Sequence, residues 1–178
     1  MLDDYLLWWR SKHGSRRAFD AIYQRHVDRM LSVALHLLGN AADAQDVVQE
    51  VFASLVETPE TIELRGSLKG FLAICVANKS RDLLRRRRLA PAGHADPTPA
   101  GGCEPLELVI HSEQILRLRE ALRRLPYEQQ EIITLHIHAG LTFRAVARAL
   151  RLPLGTVQSR YRYGLNSLKM ELEREDSL

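Results

Sequence analysis

The sequence predicts an all-α protein: two small helical domains joined by a flexible Pro/Gly linker, the second ending in a helix-turn-helix. Three observations carry that expectation. Apolar residues recur at the helical spacing of about 3.6 residues through nearly the whole chain, and no stretch alternates as a half-buried strand does. The pattern stops at 90–105, where four of the seven prolines (Pro91, Pro97, Pro99, Pro105) gather with Gly93, Gly101 and Gly102. Near the C-terminus a short amphipathic segment meets a second one across a tight turn.

The first long stripe comprises Phe19, Ile22, Tyr23, His26, Val27, Met30, Leu31, Ala34, Leu35 and Leu38. Gly39 can close that helix in a left-handed conformation, and Asn40 can cap the next, with Asp43 in its first turn. In this next helix Val47, Val48, Val51, Phe52 and Leu55 fall on one side, and Asp43, Asp46, Gln49 and Glu50 on the other. A surface helix that needs only solubility mixes Lys with Glu for mutual support. Here the polar face is acidic and the stretch 43–55 contains no Lys or Arg. That points to docking of a basic partner, with a plain solvated face as the alternative.

Pro59 ends the acidic helix region, and Ser67 is a candidate N-cap for a helix running to about Arg88 with Leu68, Phe71, Leu72, Cys75 and Val76 inward. Its C-terminal half places Asn78, Arg81, Asp82 and Arg85 on one exposed side, followed by the run Arg85-Arg86-Arg87-Arg88. An asparagine among arginines can hydrogen-bond a base edge while the cations hold phosphates. The polar loop at 57–66 could receive an extruded base, with Phe71 as a stacking or packing surface nearby. The alternatives are a core role for Phe71 and a nonspecific phosphate patch for the arginines.

The first domain is expected at 1–89, the linker at 90–105 and the second domain at 106–178, with helices near 106–124, 127–138, 142–150 and 155–172 punctuated by Pro126, Gly140 and Pro153. In the helix-turn-helix Phe143, Val146, Ala147 and Leu150 face inward, and Val157 and Tyr161 anchor the second helix to the first. Ala147 is small, as a close steep crossing requires. Thr156, Gln158, Ser159, Arg160 and Arg162 are then available to phosphates and base edges in a major groove. A plain helical hairpin with a basic face is the alternative.

The 178 residues are 46% hydrophobic, enough for real cores, and the net charge is +3. The distribution of charge says more than its total. Arg81 and the run 85–88 make one basic surface; Arg144, Arg148, Arg151, Arg160 and Arg162 make a second, separate one. Two basic surfaces and one acidic helix imply nucleic acid at two places and a protein at a third. No apolar run approaches the roughly 18–20 residues of a membrane span. The acidic start Met1-Leu2-Asp3-Asp4 lacks the features of a signal peptide, so a cytoplasmic location without membrane insertion is expected. Cys75 and Cys103 make neither a disulfide framework nor a zinc site.

In this order and spacing, several segments together resemble the bacterial RNA polymerase sigma factors of the extracytoplasmic-function (ECF) group. They are 43–52; Arg65-Gly66-Ser67 with Phe71-Leu72; Ala77-Asn78 with Asp82 and Arg85-Arg86; Leu125-Pro126; and Gly155-Thr156-Val157 with Ser159-Arg160. The likeness covers 18–168. It implies that Asp43, Asp46, Gln49 and Glu50 dock on the clamp helices of core polymerase. It implies that Asn78, Arg81, Arg85 and Arg86 bind the minus-ten element, which the helix from Ser67 and its preceding loop melt. It further implies that the linker threads toward the RNA exit. Thr156, Gln158, Ser159, Arg160 and Arg162 would read the minus-thirty-five element. Promoter DNA and core polymerase are the implied partners, an anti-sigma factor is a further one the likeness allows, and no cofactor or metal is implied.

The chain departs from the family pattern at three places. Ala145-Val146-Ala147 stands where glutamate-isoleucine-alanine is common, Tyr163-Gly164-Leu165 where arginine-alanine-arginine is common, and Phe71 where tryptophan is frequent. Gly164 inside a helix costs on the order of 1 kcal/mol relative to alanine. The chain ends soon after the helix-turn-helix, so no further C-terminal sensor domain is expected.

Two other functions compete. An autonomous helix-turn-helix transcriptional regulator would explain 141–168 but neither the acidic helix nor the Asn78 helix. A metal-dependent enzyme would need partners for its histidines. His136 and His138 are about 200° apart around a helix and face away from each other. His26, His36 and His111 have no partner at metal-ligand spacing, and no nucleophile motif or phosphate-cradling glycine loop is present.

Overall fold

Strong local signals open and close the helices. In the computed structural model, which describes residues 2–59, 62, 64, 66–89 and 113–175, Ser15 caps the second helix by accepting from the Ala18 amide, and Gly39 closes it at φ 68°. Asn40 caps the third through Asp43 N–H at 3.1 Å, Ser67 the fourth through Gly70 N–H at 3.1 Å, and Thr142 the seventh through Ala145 N–H at 3.2 Å. The elements are α1 (Leu2–Lys12), α2 (Arg16–Leu38), α3 (Ala41–Glu57), α4 (Leu68–Leu89), α5 (Glu113–Arg124), α6 (Tyr127–Ile133), α7 (Phe143–Leu150) and α8 (Leu154–Glu175). α6 runs on as a π-helical turn over Thr134–His138. The described residues thus form helices and no strand. The expected linker at 90–105, the start of the expected helix at 106–124 and four residues of the 57–66 loop lie outside them.

α2, α3 and α4 bury their apolar stripes against one another: Ile22, Met30 and Val33 from α2, Val47, Val48, Val51 and Phe52 from α3, and Leu68, Leu72 and Val76 from α4. Each such side chain contributes about 1.5–3 kcal/mol by leaving water. Tyr23 and Phe19 meet Phe52 edge-on, with ring centroids 4.9 and 6.4 Å apart. α1 closes this bundle by inserting Trp8, which is 4% exposed. That helix was not among the expected elements, although Leu6-Leu7-Trp8-Trp9 is an apolar run.

In the second half, Ala121 and Leu122 of α5 and Leu125 just after it pack with Ile133 and with Leu168 of α8, and Arg124 of α5 pairs with Glu171 of α8. α7 and α8 cross at Val146, Ala147 and Val157, all buried. The turn between them uses Arg151 at φ 54°, a left-handed conformation that non-glycine residues adopt uncommonly. α8 starts one residue before the expected position, because Pro153 accepts from the amides of Thr156 and Val157 and so begins the helical turn. Gly164 lies where α8 presses on α6: a Cβ there would come within 2.8 Å of Ile133 Cδ1. The helix-propensity cost at that glycine is therefore the condition of a close crossing.

The two halves meet. Ile132, Leu135, Ala139 and Leu141 join the apolar core of α2–α4 rather than closing a separate one. Gln130 Nε2 donates to His36 O at 2.5 Å, the His36 and His138 rings meet tilted by 34° with centroids 3.8 Å apart, and Leu141 approaches Gly70 so closely that a Cβ would lie 2.9 Å from it. This seam is the main architectural feature not expected from sequence.

Candidate polymerase and nucleic-acid interfaces

Helical geometry sets out the acidic surface. With Val47, Val48, Val51, Phe52 and Leu55 buried, α3 turns Asp46, Gln49 and Glu50 to solvent. Asp43 is used differently. Its carboxylate, 13% exposed, receives two hydrogen bonds from Arg87, at 2.6 Å each, and its amide donates to Asn40. Asp43 therefore fastens the start of α3 to the end of α4 instead of facing outward. Glu50 pairs with Lys79 of α4 at 2.8 Å, with both groups well exposed. Asp46 and Gln49 carry no side-chain partner among the described residues.

The basic side of α4 is likewise divided. Asn78, Arg85 and Arg86 are exposed, and Arg85 reaches Asp82 at 3.4 Å. Arg81 is tied across the seam to Glu131, whose side chain is only 5% exposed. Burial raises the Glu131 pKa and the guanidinium opposes that rise; burial also raises the neighbouring Tyr127. Phe71 is partly buried against the core, which favours its packing role over stacking. Cys75 packs beside it, and burial pushes its thiol up to about 11, so it stays protonated and inert.

On α8, Val157 and Tyr161 anchor as expected, Tyr161 meeting Phe143 at 5.0 Å and His136 at 5.1 Å. Gln158 and Arg162 are exposed, and the Arg162 guanidinium lies 5.6 Å from the Tyr163 ring centroid. Thr156 and Ser159 are half-buried, with Ser159 Oγ donating to Thr156 O. Arg160 turns inward to a cavity of about 350 Å³ that it shares with Arg81, Arg85 and Arg88. One member of the second basic surface, Arg160, therefore lies beside the first at a wall of the seam, while Arg144, Arg148, Arg151 and Arg162 are exposed away from that cavity. The histidines serve packing: His136 stacks on Phe143 at 4.1 Å, and His138 lies tilted against His36. Among the described residues no group of histidine, cysteine and carboxylate side chains could hold a metal ion, and no helix is long and apolar enough to cross a membrane.

An acidic face on α3, an Asn/Arg side on α4 and a helix-turn-helix occur together in a recognised arrangement. Residues 22–90 match the family model for sigma-70 region 2, and residues 115–168 match that for sigma-70 region 4. The chain belongs to the ECF group of RNA polymerase sigma factors. It is 29% identical over 165 residues to the ECF sigma factor SigE of Mycolicibacterium smegmatis, covering 90% of this chain and 63% of that one. To SigW of Bacillus subtilis it is 23% identical, covering 90% and 92%. The fold matches CnrH, solved in complex with the cytosolic domain of CnrY, with a TM-score of 0.72, 22% identity and coverage of 97% and 98%. As a sigma factor the chain binds core RNA polymerase and promoter DNA and directs promoter-specific initiation.

Proposed function

We propose that this sigma factor divides its work among three sets of side chains. Asp46, Gln49 and Glu50 dock on core polymerase, while Asp43 holds the start of their helix in place. Asn78, Arg85 and Arg86, with Arg81, take the minus-ten non-template strand. Gln158 and Arg162, flanked by Thr156, Ser159 and Arg160, read the minus-thirty-five duplex. The boundaries of 1–89 and 106–178 describe the halves that carry these roles.

The supporting observation is the outward acidic face of α3, which has no structural duty at Asp46 and Gln49. An autonomous DNA-binding regulator would leave that face without a use. The action is physical and not enzymatic: phosphate contacts supply salt-dependent affinity. Opening costs roughly 1.4 kcal/mol per base-pair step, and each captured base returns about 1–3 kcal/mol. The protein works in the cytoplasm with polymerase, and an anti-sigma partner that clamps both halves would suit the seam.

The test is transcription in vitro with purified core polymerase and fragmented genomic DNA from the source organism, with and without this protein. Discrete new start sites that share two spaced upstream elements are expected. Specific duplex binding by the protein alone, without any binding to core polymerase, would favour the autonomous regulator.

A further inference from the structure

We infer that Glu131 is an intramolecular competitor for promoter DNA, holding Arg81 across the seam so that the closed protein cannot offer that guanidinium to a phosphate. The inference rests on the reading of Arg81 as a minus-ten contact.

Glu131 and Arg81 lie fifty residues apart in sequence and on different halves, so their pairing depends wholly on the seam. The Glu131 carboxylate is almost completely buried, while Arg81 is close to half exposed. A carboxylate buried to that degree needs a cation, because water is not there to solvate it. Arg81 is the basic side chain paired with it among the described residues. A DNA phosphate brought to the same guanidinium would stand beside the Glu131 charge and be repelled by it. If Arg81 instead left to follow the phosphate, Glu131 would remain buried and unpaired, which is the costlier state. Both difficulties disappear when the halves separate and water reaches Glu131.

The surroundings fit this antagonism. The cavity beside the pair is lined by Arg85 and Arg88 of α4 and by Arg160 of α8, whose like charges favour separation. Glu131 offsets them, and the seam otherwise rests on Ile132, Leu135, Ala139 and Leu141 in the shared apolar core, on Gln130 to His36, and on the tilted His36 and His138 rings. By linkage, closing the seam weakens DNA binding by the same factor that DNA binding weakens the seam.

The experiment measures binding of a fluorescein-labelled, mixed-sequence single-stranded oligonucleotide to the free full-length protein across a salt series. Phosphate contacts are independent of sequence, so no promoter need be known. The proteins are wild type, Glu131→Gln, Arg81→Gln and the double variant, with hydrodynamic radius measured on each. Glu131→Gln is expected to tighten binding by about fivefold or more, because Arg81 can then follow a phosphate without leaving a buried charge unpaired. The slope of log affinity against log salt should steepen by about 0.7, the value for one more phosphate contact on a single strand. Arg81→Gln should abolish the gain in the double variant.

A folded Glu131→Gln protein with unchanged affinity would overturn the inference. The same gain in the double variant would show that Arg81 is not the DNA contact, overturning that reading and the competition with it. Wild-type protein supplies a check that needs no variant. DNA should speed amide hydrogen exchange in Tyr127–Ile133, and unchanged exchange under saturating DNA would also overturn the inference.

Discussion

The acidic face of α3 and the basic side of α4 are built alike and tied differently. Each has a charged residue at its inner edge that the fold has taken, Asp43 by Arg87 and Arg81 by Glu131. Each has charged residues beyond it that face solvent, Asp46 on α3 and Arg85 with Arg86 on α4. The difference is where the tie leads. Asp43 is bound within its own half, so its tie to Arg87 does not depend on the distance between the halves. Arg81 is bound across the seam, so its availability changes with the distance between the halves. Two charges that look equivalent in sequence are thereby sorted into a fixed one and a releasable one.

The largest effect should come from the open end of the α3 face. Asp46→Arg combined with Gln49→Ala puts a positive charge against a basic partner, a cost of several kcal/mol. A loss of core-polymerase affinity on the order of a hundredfold is expected in a competition assay, with the thermal midpoint unchanged. Unchanged affinity would remove Asp46 from the interface.

Next is Asn78→Ala on the exposed side of α4. Losing one base contact at about 1–3 kcal/mol should reduce promoter opening while leaving polymerase binding intact. Permanganate reactivity of the melted region reads this directly, and wild-type reactivity would count against the role.

A smaller effect sharpens the contrast with Asp43. Arg87→Ala should cost about 1 kcal/mol, since the pair is bidentate but its arginine is half exposed. That corresponds to a fall of about 2–4 °C in thermal midpoint for a chain of this size. Core affinity should change far less than in the Asp46 variant, and an equal loss would mean that Asp43 itself touches polymerase.

The smallest effect concerns pH at the seam. Burial lowers the pKa of both His36 and His138, the latter from 6.5 to about 4, and the positive fields of Arg119 on His36 and of His36 on His138 add to this. Histidines depressed in the folded state contribute stability that is present above 6.5 and is lost as pH falls toward 4. Glu131 acts in the opposite sense, because burial raises its pKa. The seam should therefore loosen modestly on acidification, seen as a larger hydrodynamic radius near pH 4 than at neutral pH. His138→Phe, which keeps a ring against His36, should flatten that dependence; an undiminished slope would place its origin elsewhere.

Much of the fold was legible because its determinants are local. Gly39, Asn40 and Ser67 each do at a helix end what their chemistry suggests, and Val157 and Tyr161 anchor α8 as the helix-turn-helix pattern implies. The missed features depend on residues far apart. Nothing near Glu131 announces that it will be buried on Arg81. The π-turn that carries His138 to His36 is a response to packing against α2. Gly164 reads locally as a weakness, and only the approach of Ile133 gives it a purpose. Among the candidate site residues, Asp43 lies on α3 as expected, and its pairing with Arg87 was not legible because that partner lies forty-four residues away.

The most direct test of the releasable tie is the distance between the halves in the working protein. Tyr5→Cys on α1 and Met170→Cys on α8 are exposed positions for a donor and acceptor pair, with Cys75 and Cys103 replaced by alanine. Energy transfer should be high in the free protein and fall when the same molecules sit on core polymerase at an open promoter. High transfer retained in a complex that is actively transcribing would contradict the account, because Arg81 would then remain on Glu131 while promoter DNA is held open.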